Sequence, residues 1–159
     1  MSDAVLKKAI ILVADDDPDF LKLTARVLNR SGYEVLTAKN GEVALKAFRE
    51  ARHAIHMVIS DVAMPAMRGP QLVHCIKSLS PSTATLLMSG TWGIARRVSS
   101  PSIEKPFRVS EFIDLVRQLL AHSDFARIEL EQSVARSRHV SEWDRVNARV
   151  SNAFAHTQE

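Results

Sequence analysis

The chain has 159 residues, 46% of them apolar and 25% charged, with a formal net charge of +3; this suits one globular domain of ordinary size with an appendage and is short for two. The mild basicity (pI near 9.3) does not mark a nucleic-acid binder, because Lys and Arg are dispersed, and the part up to Ala121 holds the surplus. A single cysteine, Cys75, excludes an intrachain disulfide and a multi-Cys zinc site, and no run approaches the roughly 18 apolar residues of a membrane-spanning helix.

Met1-Ser2-Asp3 opens without the apolar core of a signal peptide, so a cytoplasmic location is expected. Ala9 to Ala14 is almost wholly apolar and ends in acids, as in a strand covered on both faces. Asp17-Pro18 then starts a helix, with Asp as cap and Pro in the first turn. Phe20, Leu23, Val27 and Leu28 form its apolar stripe, and Gly32 stops it. Tyr33 to Ala38 predicts a second strand. Asn40-Gly41 turns the chain into a helix marked by Val43, Ala44, Ala47 and Phe48. Met57 to Ser60 predicts a third strand running into Asp61, and Pro70 to Ser78 a third helix containing Cys75 as a small buried hydrophobe. Ala84 to Met88 is a fourth strand ending at Ser89-Gly90. A poor helical segment, Trp92 to Val98, precedes a short fifth strand near Ser102 to Glu104. Ser110 is expected to cap a last helix with Phe112, Ile113, Leu115, Val116, Leu119 and Leu120 on its apolar side.

Strands alternating with helices at this spacing imply right-handed crossovers and a parallel sheet covered on both faces. Ligands of such sheets lie beyond the carboxyl ends of the strands. Asp15 and Asp16, then Asp61, Ser89 and Lys105 all fall at predicted strand ends. Three carboxylates at one rim repel one another. A hard divalent cation offsets that, and Mg²⁺ accepts carboxylates, waters and phosphate oxygens. Lys105 supplies a fixed positive charge for a phosphoryl oxygen, and Ser89 a hydroxyl. The set meets the needs of phosphoryl transfer to a carboxylate nucleophile, giving an aspartyl phosphate.

These residues resemble a known family. Val13-Ala14-Asp15-Asp16-Asp17, Asp61 to Gly69, Met88-Ser89-Gly90 and Lys105-Pro106-Phe107 together are similar to the receiver domain of bacterial two-component response regulators, over about residues 8–121. The resemblance implies a flavodoxin-like, doubly wound sheet of five parallel strands in the order 2-1-3-4-5. It implies Asp61 as phosphoacceptor, with Ser89 and Lys105 engaging the phosphoryl group. It implies Mg²⁺ held by Asp15, Asp16, Asp61 and the backbone carbonyl of Ala63. It also implies a cis peptide before Pro106. The partners it implies are a sensor histidine kinase or phosphotransfer protein upstream and a protein target downstream, for a stand-alone response regulator that is not an enzyme beyond its own phosphotransfer and slow autodephosphorylation.

Three departures from the family pattern stand out. The segment from Ser89 to Lys105 is shorter than usual and holds Gly93, Pro101 and several serines, so the fourth helix is expected to be short, irregular or partly missing. Ser102 stands where the family usually has an aromatic that moves with the hydroxyl of Ser89, and Trp92 is the nearest substitute. Ala63 stands where a polar side chain is frequent, which leaves phosphate lifetime open.

Other motifs have blander readings. Asp15-x-Asp17-x-Asp19 has Phe20 and Arg26 where a calcium loop needs Gly and a carboxylate, so Asp17 and Asp19 are read as helix-start residues. The six histidines show no metal-binding pair and are read as surface groups. Arg96-Arg97 is read as a solvated face. In residues 122–159, Trp143, Val146, Val150 and Ala153 make a short amphipathic stripe, read as a helical docking or dimerisation tail, with a homodimer through residues 123–159 as one version and a disordered tail as the rival. Two alternatives to the main reading stay open: a phosphorylation-independent pseudo-receiver that only binds partners, and a Mg²⁺-dependent phosphohydrolase with an aspartyl nucleophile.

Overall fold

The computed structural model describes residues 8–52, 54–91, 93, 97, 99–123, 131 and 134. Two compact units are present, Met1–Phe125 and Ala126–Glu159. In the second, Glu131 and Val134 are helical, and the stripe Trp143 to Ala153 lies outside the described residues.

The first unit runs β1 (Ile10–Ala14), α1 (Pro18–Arg30), β2 (Glu34–Ala38), α2 (Gly41–Ala51), β3 (Met57–Asp61), α3 (Gly69–Leu79), β4 (Ala84–Ser89), β5 (Ser102–Glu104) and α4 (Val109–Ala121). The five strands form one parallel sheet in the order β2-β1-β3-β4-β5, the order the resemblance implied. Because side chains alternate along a strand, β1 serves two cores. Ile11 and Val13 face a cluster with Leu28 of α1 and Phe112 and Val116 of α4. Leu12 and Ala14 face Phe48 of α2 and Leu72 and Ile76 of α3. Both cores are apolar, and each large side chain so buried contributes about 1.5–3 kcal/mol.

Local signals set the element ends. The Asp17 carboxylate accepts the N–H groups of Asp19 and Phe20 at 3.0 and 3.2 Å, capping α1. At the other end Gly32 takes φ +93°, Gly32 N–H donates to the carbonyl of Asn29, and Tyr33 N–H donates to that of Leu28. That is a Schellman closure, and it occupies Tyr33, so β2 begins one residue later than its apolar run suggests. Asn40 caps α2 by accepting the N–H of Val43 at 2.8 Å.

Three expectations need correction. Ser110 does not cap the last helix: α4 starts at Val109 with Arg108 at the cap position, whose side chain makes no capping bond. Leu23, placed in the buried stripe of α1, is 54% exposed, and Val43 of α2 is 40% exposed; both sit at the margin of an apolar arc wider than the strip the core covers. His56 is not simply a surface group, because its Nδ1 accepts the N–H of Ile10 at 2.9 Å.

The β4–β5 connection contrasts with this order. Among its described residues (91, 93, 97 and 99–101) none is helical. Residues 92, 94–96 and 98, and with them the Trp92 substitution and Arg96, lie outside the described set.

Candidate functional site

β1 and β3 are neighbours in the sheet, so the residues that follow or end them share one rim. Asp15 continues β1 by donating its N–H to the carbonyl of Ala38 at 3.2 Å, Asp61 is the last residue of β3, and Lys105 continues β5 by donating its N–H to Ser89 at 2.7 Å. Carboxylate oxygens of Asp15, Asp16 and Asp61 all come within 4.8 Å of one another. Asp15 and Asp61 are buried, 1% and 8% exposed, while Asp16 faces solvent.

Lys105 closes the rim. Its ammonium donates to Asp15 Oδ2 at 3.0 Å and Asp61 Oδ1 at 3.2 Å, with its side chain 21% exposed. The other oxygen of Asp15 accepts the N–H of Asp17 at 2.9 Å, which fixes the Asp15 side chain. One cation among three carboxylates leaves the pocket net negative. Burial pushes the Asp61 carboxyl above its ordinary range; the charge and hydrogen bond of Lys105 pull it down, and the nearby Asp15 and Asp16 push it up again. Hard oxygen donors at this spacing, with one acid open to water, fit a small divalent cation that keeps part of its hydration shell.

The loop after Asp61 is tightly packed. Val62 N–H bonds the carbonyl of Met88 at 2.9 Å and Val62 accepts from Gly69 at 3.0 Å. Met67 N–H bonds Pro65 at 2.8 Å around Ala66, whose φ is +64°, a strained three-residue turn. Gly69 has no room for a side chain: a Cβ there would strike the Asp61 carbonyl. Gly41 is likewise pressed on Met67, whose carbonyl oxygen would lie 2.7 Å from a Cβ. The Lys105–Pro106 peptide is cis.

The structure thus brings together Asp15, Asp16, Asp61 and Lys105. Ser89 lies at the end of β4 with its hydroxyl turned onto the next loop, donating to the Thr91 carbonyl at 3.1 Å and accepting the Thr91 N–H at 3.2 Å. Ala63 lies in the loop two residues past Asp61, with its side chain exposed. One neighbour of the site escaped the sequence reading. The ammonium of Lys105 stands over the ring of Phe20, 3.8 Å from its centroid. In the sequence Phe20 is one member of a helical apolar stripe, and no local pattern separates a core ring from one facing a lysine far along the chain.

Known proteins resemble this chain in sequence and fold. The response regulator receiver domain family matches residues 11–117. The chain is 26% identical over 125 residues to the probable transcriptional regulatory protein TcrX of Mycobacterium tuberculosis, covering 75% of this chain and 53% of that one. It is 30% identical over 116 residues to the transcriptional regulatory protein PrrA of the same organism, covering 69% and 49%. It therefore spans about half the length of these two curated relatives. Among solved structures, the response regulator TrrA of Thermotoga maritima, in complex with Mg²⁺-BeF, is 30% identical with a TM-score of 0.64, covering 70% of this chain and 98% of that one. With the sheet order, the acidic rim and the lysine at the end of β5 all in agreement, the chain belongs to the receiver domain family of two-component response regulators.

Proposed function

We propose that Asp61 accepts a phosphoryl group from the phosphohistidine of a sensor histidine kinase or phosphotransfer protein, with Mg²⁺ held by Asp15, Asp16, Asp61 and the backbone carbonyl of Ala63. The observation that carries this reading is the convergence of three carboxylates and the Lys105 ammonium at one strand-end rim. When bound, Mg²⁺ neutralises charge building on the phosphoryl oxygens.

The chain's own residues divide the remaining work. The Asp61 carboxylate attacks phosphorus in line, and the P–N bond to the donor imidazole breaks as the new P–O bond forms. Lys105, already within reach of Asp61, pairs with an equatorial oxygen of the transferred group. Ser89 donates its hydroxyl to another of those oxygens once it leaves Thr91. Asp15, held by the Asp17 N–H, keeps its carboxylate turned into the pocket. The phosphate adds about −1.5 to −2 charge at the rim. That charge biases the contacts of Ser89 and Lys105, and the result is passed on by phosphorylation-dependent binding to a protein target. Residues 122–159 are part of the same proposal, as a helical element for docking or homodimerisation supported by the Trp143-Val146-Val150-Ala153 stripe; light scattering with and without residues 123–159 tests it, and equal monomer masses remove the dimer.

Incubation with Mg²⁺ and acetyl phosphate, followed by intact mass, tests the central reading. One phosphoryl group per chain is expected, and none in Asp61→Asn. No uptake by the wild type favours a pseudo-receiver that only binds partners. Repeated turnover of a phosphate ester favours a phosphohydrolase. Phosphate persisting in Asp61→Asn overturns the assignment of the acceptor.

A further inference from the structure

We infer that Phe20 is a positioning residue for Lys105, holding its ammonium over the ring face between Asp15 and Asp61; this rests on the reading of Lys105 as the group that meets the phosphoryl oxygens. Among the described residues the ammonium meets three groups. Two are carboxylates, at 3.0 and 3.2 Å, and the third is the Phe20 ring at 3.8 Å from its centroid. A cation at that distance over an aromatic face is attracted by the ring's negative quadrupole, more strongly where water is partly excluded, and Lys105 is only 21% exposed.

The three contacts are not equivalent. Asp15 and Asp61 hold Lys105 through oxygen lone pairs, and those oxygens are the ones a divalent cation and an incoming phosphoryl group would claim. The ring uses no lone pair of the pocket. It keeps its hold on the ammonium whatever the carboxylates bind, so it anchors a long, flexible side chain.

Phe20 is itself fixed from two sides. Its backbone N–H is bound by the Asp17 cap at 3.2 Å. Its ring meets Phe107 edge-on, with centroids 6.1 Å apart and planes at 80°, and Phe107 stacks on Phe112 at 5.0 Å. Phe112 is 1% exposed and belongs to the core. An aromatic column thus runs from the core to the lysine. A pocket of about 240 Å³ lies along it, and Phe20, Phe107, Phe112 and Lys105 are among the residues that line it.

The test compares Phe20→Leu, which keeps apolar volume but removes the face, with Phe20→Tyr, which restores it. In metal-free protein, the Lys105 Hε protons of the wild type and Phe20→Tyr are expected upfield of their ordinary position by ring current, and at the ordinary position in Phe20→Leu. With saturating Mg²⁺ and acetyl phosphate, the maximal phosphorylation rate of Phe20→Leu is expected to fall about three- to tenfold, with final stoichiometry unchanged and Phe20→Tyr close to wild type. Unshifted Hε protons in the wild type, or a folded Phe20→Leu that phosphorylates at the wild-type rate, overturns the inference. If Phe20→Leu does not fold, Phe20→Met takes its place with the same two outcomes. A wild type that takes no phosphate at all refutes the proposed function, and the ring-current shift then judges the positioning of Lys105 by itself.

Discussion

The rim formed by β1, β3 and the end of β5 and the connection between β4 and β5 meet at Ser89, yet they are built differently. At the rim the Asp15 and Lys105 side chains and the Asp61 backbone are tied down, while Asp16 faces solvent. Asp15 is bonded at both oxygens, Lys105 has two carboxylates and a ring, and Gly69 leaves no space beside the Asp61 backbone. The connection has serines, a turn at Gly93 held by Glu104 Oε1 at 3.2 Å, and no helix among its described residues. Ser89 stands between the two, inside β4 by backbone but turned to Thr91 by its hydroxyl. The proposed capture of a phosphoryl group needs preorganised charge, and the rim supplies it. Passing the event on needs a part that can rearrange, and the described residues of the connection are exposed or half-buried.

Several measurements would break or sharpen this contrast. The largest effect is expected under the rim: Phe112→Ala removes the base of the aromatic column and should cost about 3–5 kcal/mol in denaturant unfolding, with slower phosphorylation of whatever folds. Next, Gly69→Ala forces its Cβ against the Asp61 carbonyl and should cost about 1–3 kcal/mol by overpacking. It should also slow phosphate uptake by more than tenfold, because the acceptor itself is displaced. Lys105→Met leaves the buried Asp15 without its cation. After discounting for the lysine's partial exposure, a loss of roughly 1–3 kcal/mol is expected, together with a higher Asp61 pKa by NMR titration.

A smaller effect has a defined pH dependence. Burial raises the Asp61 pKa in the folded chain above its ordinary 3.8, so the fold is favoured when Asp61 is protonated and loses that advantage as pH rises through the folded-state value. In metal-free protein Asp61→Asn should therefore unfold at a higher temperature than the wild type at pH 7, and the gap should close as pH falls to 3.8. A gap that stays constant with pH would show that Asp61 ionisation is not its source. At the bottom of the scale, Ser99→Ala in the connection should change stability by no more than about 0.5 kcal/mol. A loss of several times that would mean the connection is packed like the rim, and the contrast would fail.

Much of the site was legible because of where strands end. A short apolar run such as Ala9 to Ala14, ending in acids, reads as a strand buried on both faces, and in a parallel sheet the residues just past it reach the ligand edge. Asp15, Asp16, Asp61 and Lys105 needed nothing else to be singled out. The misreadings share a cause as well. Serine favours the cap position, which points to Ser110, but the turn from Pro106 starts the helix two residues earlier, with Arg108 at the cap and Val109 as the first helical residue. Leu23 matched a helical period, but the period does not report how wide a strip of α1 the core covers.

The sequence by itself determined the strand-and-helix alternation, the order in which acids and lysine meet the rim, and the family. These depend on periodicity and on residues adjacent in the chain, where apolar burial and capping act locally. Only the tertiary structure decided which oxygen of Asp15 faces Lys105, that Ser89 is turned to Thr91, and that a ring from α1 lies under the lysine after β5. Those contacts join residues up to ninety positions apart. Their geometry is set by how α1 and α4 pack on one face of the sheet, and no local propensity records that packing.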